Sequence, residues 1–588
     1  MTSVPTAPSR AARRPGLVRW GLPALLAALF FVRLGALPLL EPDEGRYTEI
    51  PREMLASADL ATPRLDGVLY FEKPPLYYWL TASAEAVLGP SELAGRLWSA
   101  LLGLLGALVA GRLAATMVRE GRNGGGDLDA APAAGRIATV ALATSPLYLG
   151  LARLAIIDMT VSFFVTLTLA CFWWLRGAGS DRRARRFGYA MFAAAAMAAL
   201  AKGLIAIVIP GAVVLIFLVA TGGWRVLGRV PWVGGIALFL AIAAPWHVWM
   251  ALHHPRFLWF YFVHEHFLRF ATDATHRWEP AWFFVPVVLG GFLPWAGLLP
   301  AIARRISRRR PEVVFLVVWA AFVFLFFSAS HSKLIPYVLP CLPPLAVLAG
   351  LELGGADGRP PGRLAGWGLA AGSLAVAGLA ALLAAIGSGH WPELAGGRVP
   401  AGSPTLGWAL AGGSCLAALA AAAIGFRDRP RRAFAPAAVA AGLLFFALAA
   451  VAERLPDERT TRDLAARLAA RLEPGDEVVS YRDYPQSLPP YLGRVIDVVD
   501  YRGELDFGIS QLPEAERLRR FPTAEEFRER WRSPGRIFLV TEERDLPRMR
   551  EAGMDPGPVL DRQGRRVLLS NRLPVHGTGG ARPAEAGP

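Results

Sequence analysis

Residues 204–220 read LIAIVIPGAVVLIFLVA, an apolar run without a single charge. A helix of this length is able to cross a hydrocarbon core of roughly 30 Å. Comparable runs stand at 21–32, GLPALLAALFFV, and at 161–175, VSFFVTLTLACFWWL. Of the 588 residues, 54% are hydrophobic, more than the core of a water-soluble chain of this length would use. The sequence therefore reads as a polytopic α-helical membrane protein.

The formal charge of +15 would suit a nucleic-acid partner if it lined a groove. It does not. The tail after about residue 454 is nearly balanced, and the surplus sits in short arginine clusters between apolar runs. That is the pattern of cytoplasmic loops under the positive-inside rule, and nucleic acid is excluded as a partner. Cys171, Cys341 and Cys415 all fall inside apolar runs and there is no CxxC, so no disulfide is expected. The N-terminal RAARRPGLVRW is basic and lacks a small-residue cleavage site, which reads as an uncleaved anchor.

Placing the arginine clusters inside fixes the topology. Spans are expected near 17–39, 91–117, 137–152, 158–175, 188–201, 203–221, 232–250, 282–302, 312–329, 334–352, 365–388, 404–425 and 433–453, thirteen in all. The clusters RGAGSDRRARRF, WRVLGR, RRISRRR and FRDRPRR then fall on one side. The loop 40–75, the turn Arg153–Asp158, HHPRFLWFYFVHEHFLRFATDATHRWEP, SASHSKLIPY and the tail fall on the other. Residues 1–454 read as the membrane domain, 455–572 as an outer α/β domain and 573–588 as a disordered end. In the tail, EVVSY, RVIDVVD, RIFLVT and RRVLLS have strand character, and DLAARLAARL, TAEEFRERW and EERDLPRMREAG have helical character.

Ionisable residues collect on the outer side. The first loop holds EPDEGRYTEI (41–50) and FEKPPLYYWL (71–80), with five carboxylates and two cations: Glu41, Asp43, Glu44, Glu49, Glu72, Arg46 and Lys73. Carboxylates close to lipid are costly, so Asp43 and Glu44, next to a span end, read as functional. Tyr47, Ile50 and Met54 have the spacing of an amphipathic surface helix. Arg52, Glu53, Asp59 and Arg64 read as solvated loop charges. Pro74 and Pro75 stiffen the chain after Glu72 and Lys73. Asp158 opens an apolar helix, where the dipole favours an acid and Arg153 lies within reach as a partner. His264, Glu265 and His266 are adjacent, so on a helix they point apart and make no compact metal site. One of them could still join a ligand from another loop, such as Glu72. Arg269 follows closely, and Lys333 and Tyr337 are spaced to share a helical face. Cations at a membrane-level pocket (Lys73, Arg269, Lys333) suit a phosphate leaving group, and carboxylates (Asp43, Asp158) suit acceptor activation. With no GxGxxG or P-loop, a phosphorylated lipid fits better than a nucleotide.

EPDEGRYTEIPREML, FEKPPLYYW, HEHFLRF, HRWEPAWFF and SKLIPYVLP, with PGDEVVSYRDYPQSLPPYLGR in the tail, resemble the ArnT-like branch of the GT-C glycosyltransferases. These are 4-amino-4-deoxy-L-arabinose transferases of lipid A, related to the protein O-mannosyltransferases. The resemblance implies that Asp43 is the catalytic carboxylate, with Glu44, Arg46 and Tyr47 in the same motif, and that Asp158 is a second essential acid. It implies that Lys73 and Arg269, with Tyr337, contact the polyprenyl phosphate. It also implies that Glu72 and His264 are the pair able to hold a divalent metal such as zinc.

The expected activity is transfer of a sugar from a polyprenyl (undecaprenyl) phosphate to lipid A phosphate, at the periplasmic side of the bacterial inner membrane. The rival acceptors are a protein hydroxyl or another glycan. A lipid transporter or flippase would place its charges near the midplane and show inverted repeats, and neither is seen here. A membrane-anchored scaffold would leave the loop acids unexplained.

Overall fold

The computed structural model describes all residues except 1–16, 121–129, 269–278, 305, 307–309, 356–359, 388–404, 454–457 and 573–588. The expected disordered end, the N-terminal basic stretch and Arg269 lie outside the described residues. The chain divides into two compact units that do not follow chain order. The first takes the residues up to Ala36, then Arg96–Val248 and Phe262–Glu453; the second takes Leu37–Gly95, Trp249–Tyr261 and the chain after Glu453.

The first unit is helical. Among the described residues, eight helices are long and apolar enough to cross a membrane, or up to nine if one bent pair counts as a single span. They run from Glu92–Glu120 and Ile157–Arg176 to the C-terminal trio Arg363–Ala385, Leu406–Phe426 and Pro430–Ala452. That trio packs through small side chains, Ala377, Ala380, Ala418 and Ala440, which let the backbones approach closely. Three apolar helices are shorter: Gly21–Phe31, Ala130–Ala143 and Ile205–Thr221.

Two expected spans are broken near a proline, and a third, present as a single span over Ile335–Gly354, begins irregularly. The stretch expected as one helix over 137–152 is two, Ala130–Ala143 and Pro146–Ala152, interrupted at Ser145–Pro146. The expected span near 282–302 is Phe284–Gly291 followed by Trp295–Arg304, bent by 103°. Gly290, Gly291 and Pro294 fall at that bend, where helix propensity is lowest. The span near 334–352 starts as a 3-10 turn, Ile335–Cys341, and becomes α-helical only at Leu342–Gly354. Pro336 and Pro340 in that turn lack the amide donors that a longer helix needs.

The second unit is mixed. Its sheet has the order β4-β3-β5-β7-β6, with β3 Glu477–Tyr481, β4 Asp497–Val499, β5 Ile537–Glu542, β6 Val559–Gln563 and β7 Arg566–Ser570. β3 pairs in parallel with β4 and β5, Val479 facing Asp497 and Leu539, and β7 runs antiparallel to β5 and β6. Val479, Tyr481, Leu539, Val567 and Leu569 pack one face against Phe527 and Trp531. Phe527 and Trp531 come from helix Ala524–Arg532, whose first turn is closed by a Thr523–Glu526 capping box. The runs read as strands form β3, β4, β5 and β7; β6 was not legible because VLDRQ is polar and half-exposed.

The same unit includes the first loop. Helix Asp43–Ser57 is followed by a two-residue hairpin, β1 Arg64–Leu65 and β2 Val68–Leu69, and by helix Leu76–Leu88 right after Pro75. Asp66 and Gly67 form the hairpin turn, both with positive φ, as Asp-Gly turns of this kind require.

Candidate active site

Helix Asp43–Ser57 is not a solvated loop. Tyr47, Ile50 and Met54 are buried, and so are Glu44, Arg46, Glu49 and Glu53. Of the four charges expected to be solvated, Glu53 is buried and Arg52, Asp59 and Arg64 are half-buried; the helix packs against Leu76–Leu88 and against the short tail helix Leu488–Leu492. Gly45 is the contact point. A Cβ there would stand 2.5 Å from the Gln486 carbonyl and 2.6 Å from Ser487 N, so no larger residue fits the motif at this position.

Most of the clustered carboxylates have structural partners. Glu41 accepts from Ser487 Oγ at 2.6 Å and pairs with Arg566 at 2.7 Å. Glu44, expected to be catalytic, is 2% exposed and accepts the Leu40 amide at 3.0 Å. Glu49 is fully buried and holds Arg52 at 2.5 Å. Burial pushes the Glu49 carboxyl well above the usual carboxylate range, and the Arg52 guanidinium opposes this. Asp66 is also fully buried; it accepts the Ile496 amide at 2.9 Å and faces Arg520 at 3.5 Å. Desolvation prevails there too, because Arg520 is shared with Asp497, and the Asp66 carboxyl is pushed up to about 7.

Asp43 differs. Its side chain is 48% exposed, and its recorded ion pair is a long one, 3.8 Å to Arg46. Arg46 itself is buried. It lies 2.8 Å from Glu504 and donates to Tyr70 Oη at 3.1 Å, with the rings of Tyr47 and Tyr70 at 5.6 and 5.9 Å. Glu504 in turn accepts from Gln486 Nε2 at 2.7 Å. The outward carboxylate thus stands on a fixed guanidinium. Glu72 and Lys73 follow Phe71, which is locked among His254, Phe257 and Phe507 with ring centroids 5.0–5.6 Å away. Lys73 Nζ donates to the Glu72 carbonyl at 2.8 Å and stands 3.8 Å from its carboxylate.

The helical unit carries the other candidates. Asp158 lies in the first turn of Ile157–Arg176, as expected, but its partner is Lys202 at 2.5 Å. Arg153 is occupied elsewhere, donating to the Leu29, Phe30 and Val32 carbonyls at 2.7–2.9 Å, where helix Leu17–Phe31 ends. Lys202 also stands 4.7 Å from the Tyr337 ring centroid. It was missed in the sequence, although a lysine between two apolar runs, AALAKGLIAIV, is itself a signal. Lys333 precedes the 3-10 turn that holds Tyr337, so the two do not share a helical face. Lys333 is buried, its ammonium donating to the Ser330 carbonyl at 2.6 Å and the Glu279 carbonyl at 2.8 Å.

His264 and Glu265 lie in a π-helical stretch, Trp259–Leu268, with His264 Nδ1 3.3 Å from the Glu265 carboxylate. Among the described residues, no group of three or more His, Cys, Asp or Glu is assembled that could hold a metal. The Glu72–His264 pair belongs to two different units and supplies two ligands, short of the three-ligand set typical of a catalytic zinc. Among the described residues no metal set is assembled, and no step is derived through one.

Residues 22–264 match the family model described as dolichyl-phosphate-mannose-protein mannosyltransferase, and residues 464–571 match the aminoarabinose transferase C-terminal domain. An undecaprenyl phosphate-alpha-4-amino-4-deoxy-L-arabinose arabinosyl transferase from Edwardsiella ictaluri is 35% identical over 56% of this chain and 58% of its own length. For the Pseudomonas paraeruginosa protein of that name the figures are 34%, 57% and 59%. The chain therefore spans just under three-fifths of the length of these two relatives. The Erwinia tasmaniensis protein of the same name is 29% identical over 88% of this chain and 93% of its own. The crystal structure of ArnT from Cupriavidus metallidurans bound to undecaprenyl phosphate is similar with a TM-score of 0.78 and 28% identity, covering 96% of this chain and 99% of that one. Two family models, one near each end of the chain, and a structural likeness along nearly all of it make this chain similar to the ArnT-like GT-C glycosyltransferases.

Proposed function

We propose that the protein transfers 4-amino-4-deoxy-L-arabinose from undecaprenyl phosphate to a phosphate of lipid A, at the periplasmic side of the bacterial inner membrane. The observation that carries the reading is Asp43: a half-exposed carboxylate on a buried arginine, in a loop whose other acids are mostly consumed by structural contacts. The likeness to a structure holding undecaprenyl phosphate supports the donor, and the match to an aminoarabinose transferase C-terminal domain supports the sugar.

In this reading an oxygen of the acceptor phosphate forms a bond to the anomeric carbon as the bond to the undecaprenyl phosphate oxygen breaks, with inversion. The departing phosphate keeps the electron pair. Lys73, Arg269, Lys333 and Tyr337 bind that phosphate and offset its growing charge. The acceptor is already an anion, so no proton need be removed. Asp43 orients it and balances the positive charge that develops on the sugar ring. Arg46 and Tyr47 set the position of Asp43. Glu44 braces the start of its helix, and the Asp158–Lys202 pair orders the phosphate-binding side.

Thirteen membrane crossings fit this reading. They are the eight long helices, the bent pair taken as one, the three shorter apolar helices, and Asp181–Lys202 with its arginine-rich start. The arginine clusters would then face the cytoplasm, and the loop 40–75 and the domain 455–572 the periplasm.

A protein hydroxyl as acceptor is the second reading, favoured by the mannosyltransferase model over 22–264. Asp43 would then act as a true base. Lipid A mass spectrometry in cells with and without the gene decides between them. The first reading expects a mass shift of one aminoarabinose; its absence, with glycosylated protein present, overturns it.

A further inference from the structure

We propose that Glu504, from the C-terminal part of the chain, is a positioning residue for the transfer reaction, fixing Arg46 so that Asp43 stays free to face the substrate. The inference rests on the transferase reading above and gives the C-terminal region a role in the chemistry.

The geometry is that of a charge clamp. Among the described residues Arg46 has two carboxylates within ion-pair range, Glu504 at 2.8 Å and Asp43 at 3.8 Å, and the nearer one is the buried one. The side chains of Arg46 and Glu504 are 10% and 12% exposed, against 48% for Asp43. A buried guanidinium needs a close counter-ion. Glu504 meets that need, so Asp43 is not drawn in. Glu504 is itself held: Gln486 Nε2 donates to Oε1 at 2.7 Å, and Tyr70 Oη lies 3.5 Å from Oε2. Tyr70 also accepts from Arg46 at 3.1 Å, so the same phenol touches both partners. Gly503–Leu505 form a short 3-10 turn that delivers Glu504 to this site. Gln486 flanks the backbone against which Gly45 packs, so the register of the Asp43 helix and the orientation of Glu504 are set by one segment.

Without the Glu504 charge, Arg46 keeps its place in a buried setting with Asp43 as the remaining carboxylate in range among the described residues. The two would close into a direct pair, and Asp43 would turn away from the substrate. Substrate affinity, set mainly by the phosphate-binding cations, would change little. Turnover would fall, because misplacing a reacting group by about 1 Å costs rate.

The test uses full-length protein in detergent or nanodiscs, with undecaprenyl phosphate-aminoarabinose as donor and lipid A as acceptor. Glu504→Gln is expected to lower kcat on the order of 10- to 100-fold with KM for the donor within about twofold. Glu504→Asp, which restores the charge, is expected to recover most of the loss. Gln486→Leu removes the hydrogen bond that orients Glu504 without deleting a charge, and is expected to lower kcat by less; it decides the matter if Glu504→Gln cannot be purified folded. Wild-type kcat in folded Glu504→Gln, or in Gln486→Leu where that variant decides, overturns the inference. So does a KM rise that accounts for the whole loss. Absence of transfer by the wild type would instead remove the transferase reading on which the inference rests.

Discussion

Asp43 and Arg46 share one helix turn, yet burial gives them different roles. Arg46 serves three groups at once, Glu504, Tyr70 and Asp43, from the edge and end of one planar fork. A lysine carries the charge but cannot reproduce the fork. Arg46→Lys is therefore expected to keep the fold and lose roughly tenfold or more in kcat, measured as initial rates of sugar transfer. Unchanged rates would mean that only the charge matters. Asp158 offers a parallel case, since Lys202 ties it to a second helix. The crowding of carboxylates beside a span was legible in EPDEGRY. What could not be read was which acid stays exposed. Glu41, Glu44 and Glu49 look equivalent in sequence and differ only in partners supplied by Arg566, the Leu40 amide and Arg52. Glu504 in YRGELDFGI carries no local signal, because its partner is more than 400 positions away.

At the scale of the element, the β1–β2 hairpin shows how a two-residue turn anchors a loop. Asp66 adopts a left-handed conformation, buries its carboxylate and accepts the Ile496 amide, while Gly67 leaves room for Arg520. Burial raises the Asp66 carboxyl to about 7, so the folded state holds its proton more tightly than the unfolded chain, where an aspartate titrates near 3.9. Below about pH 4 both states are protonated and the favourable contribution is complete. Between about 4 and 7 the unfolded state alone releases the proton, so stability falls as pH rises, and above 7 it is level. The loss is on the order of 4 kcal/mol at most. Asp66→Asn should flatten this slope in melting temperature between pH 4.5 and 7; an unchanged slope would assign it to Glu49 or Glu53. The capping box gives a simpler expectation. Thr523→Ala should cost about 1 kcal/mol, read as a lower melting temperature. Four of the five tail strands were legible because alternating and β-branched runs have no helical rival. The break at Phe284–Gly291 was hidden, because apolarity alone does not reveal a 103° bend.

On the scale of the whole molecule, the sequence shows a membrane protein with a tail, whereas the compact unit that carries Asp43 is assembled from the first loop, residues 249–261 and the tail together. Its pairs join residues hundreds of positions apart: Glu41 with Arg566, Arg46 with Glu504, Asp66 with Arg520. No periodicity encodes such pairs, so the membrane helices could be read and the partnership of loop and tail could not. A chain ending at Glu453 should still insert its helices, checked by membrane fractionation and helical circular dichroism, but lose transfer, since the supports of the Asp43 helix are gone. Retained transfer would make the tail dispensable. The most direct test of the account is transfer by purified, folded protein given undecaprenyl phosphate-aminoarabinose and lipid A, comparing the wild type with Asp43→Asn. The account predicts aminoarabinose-modified lipid A from the wild type and a loss of at least about 100-fold in kcat for the variant. Full activity of Asp43→Asn, or no modified lipid A from the wild type, would contradict it.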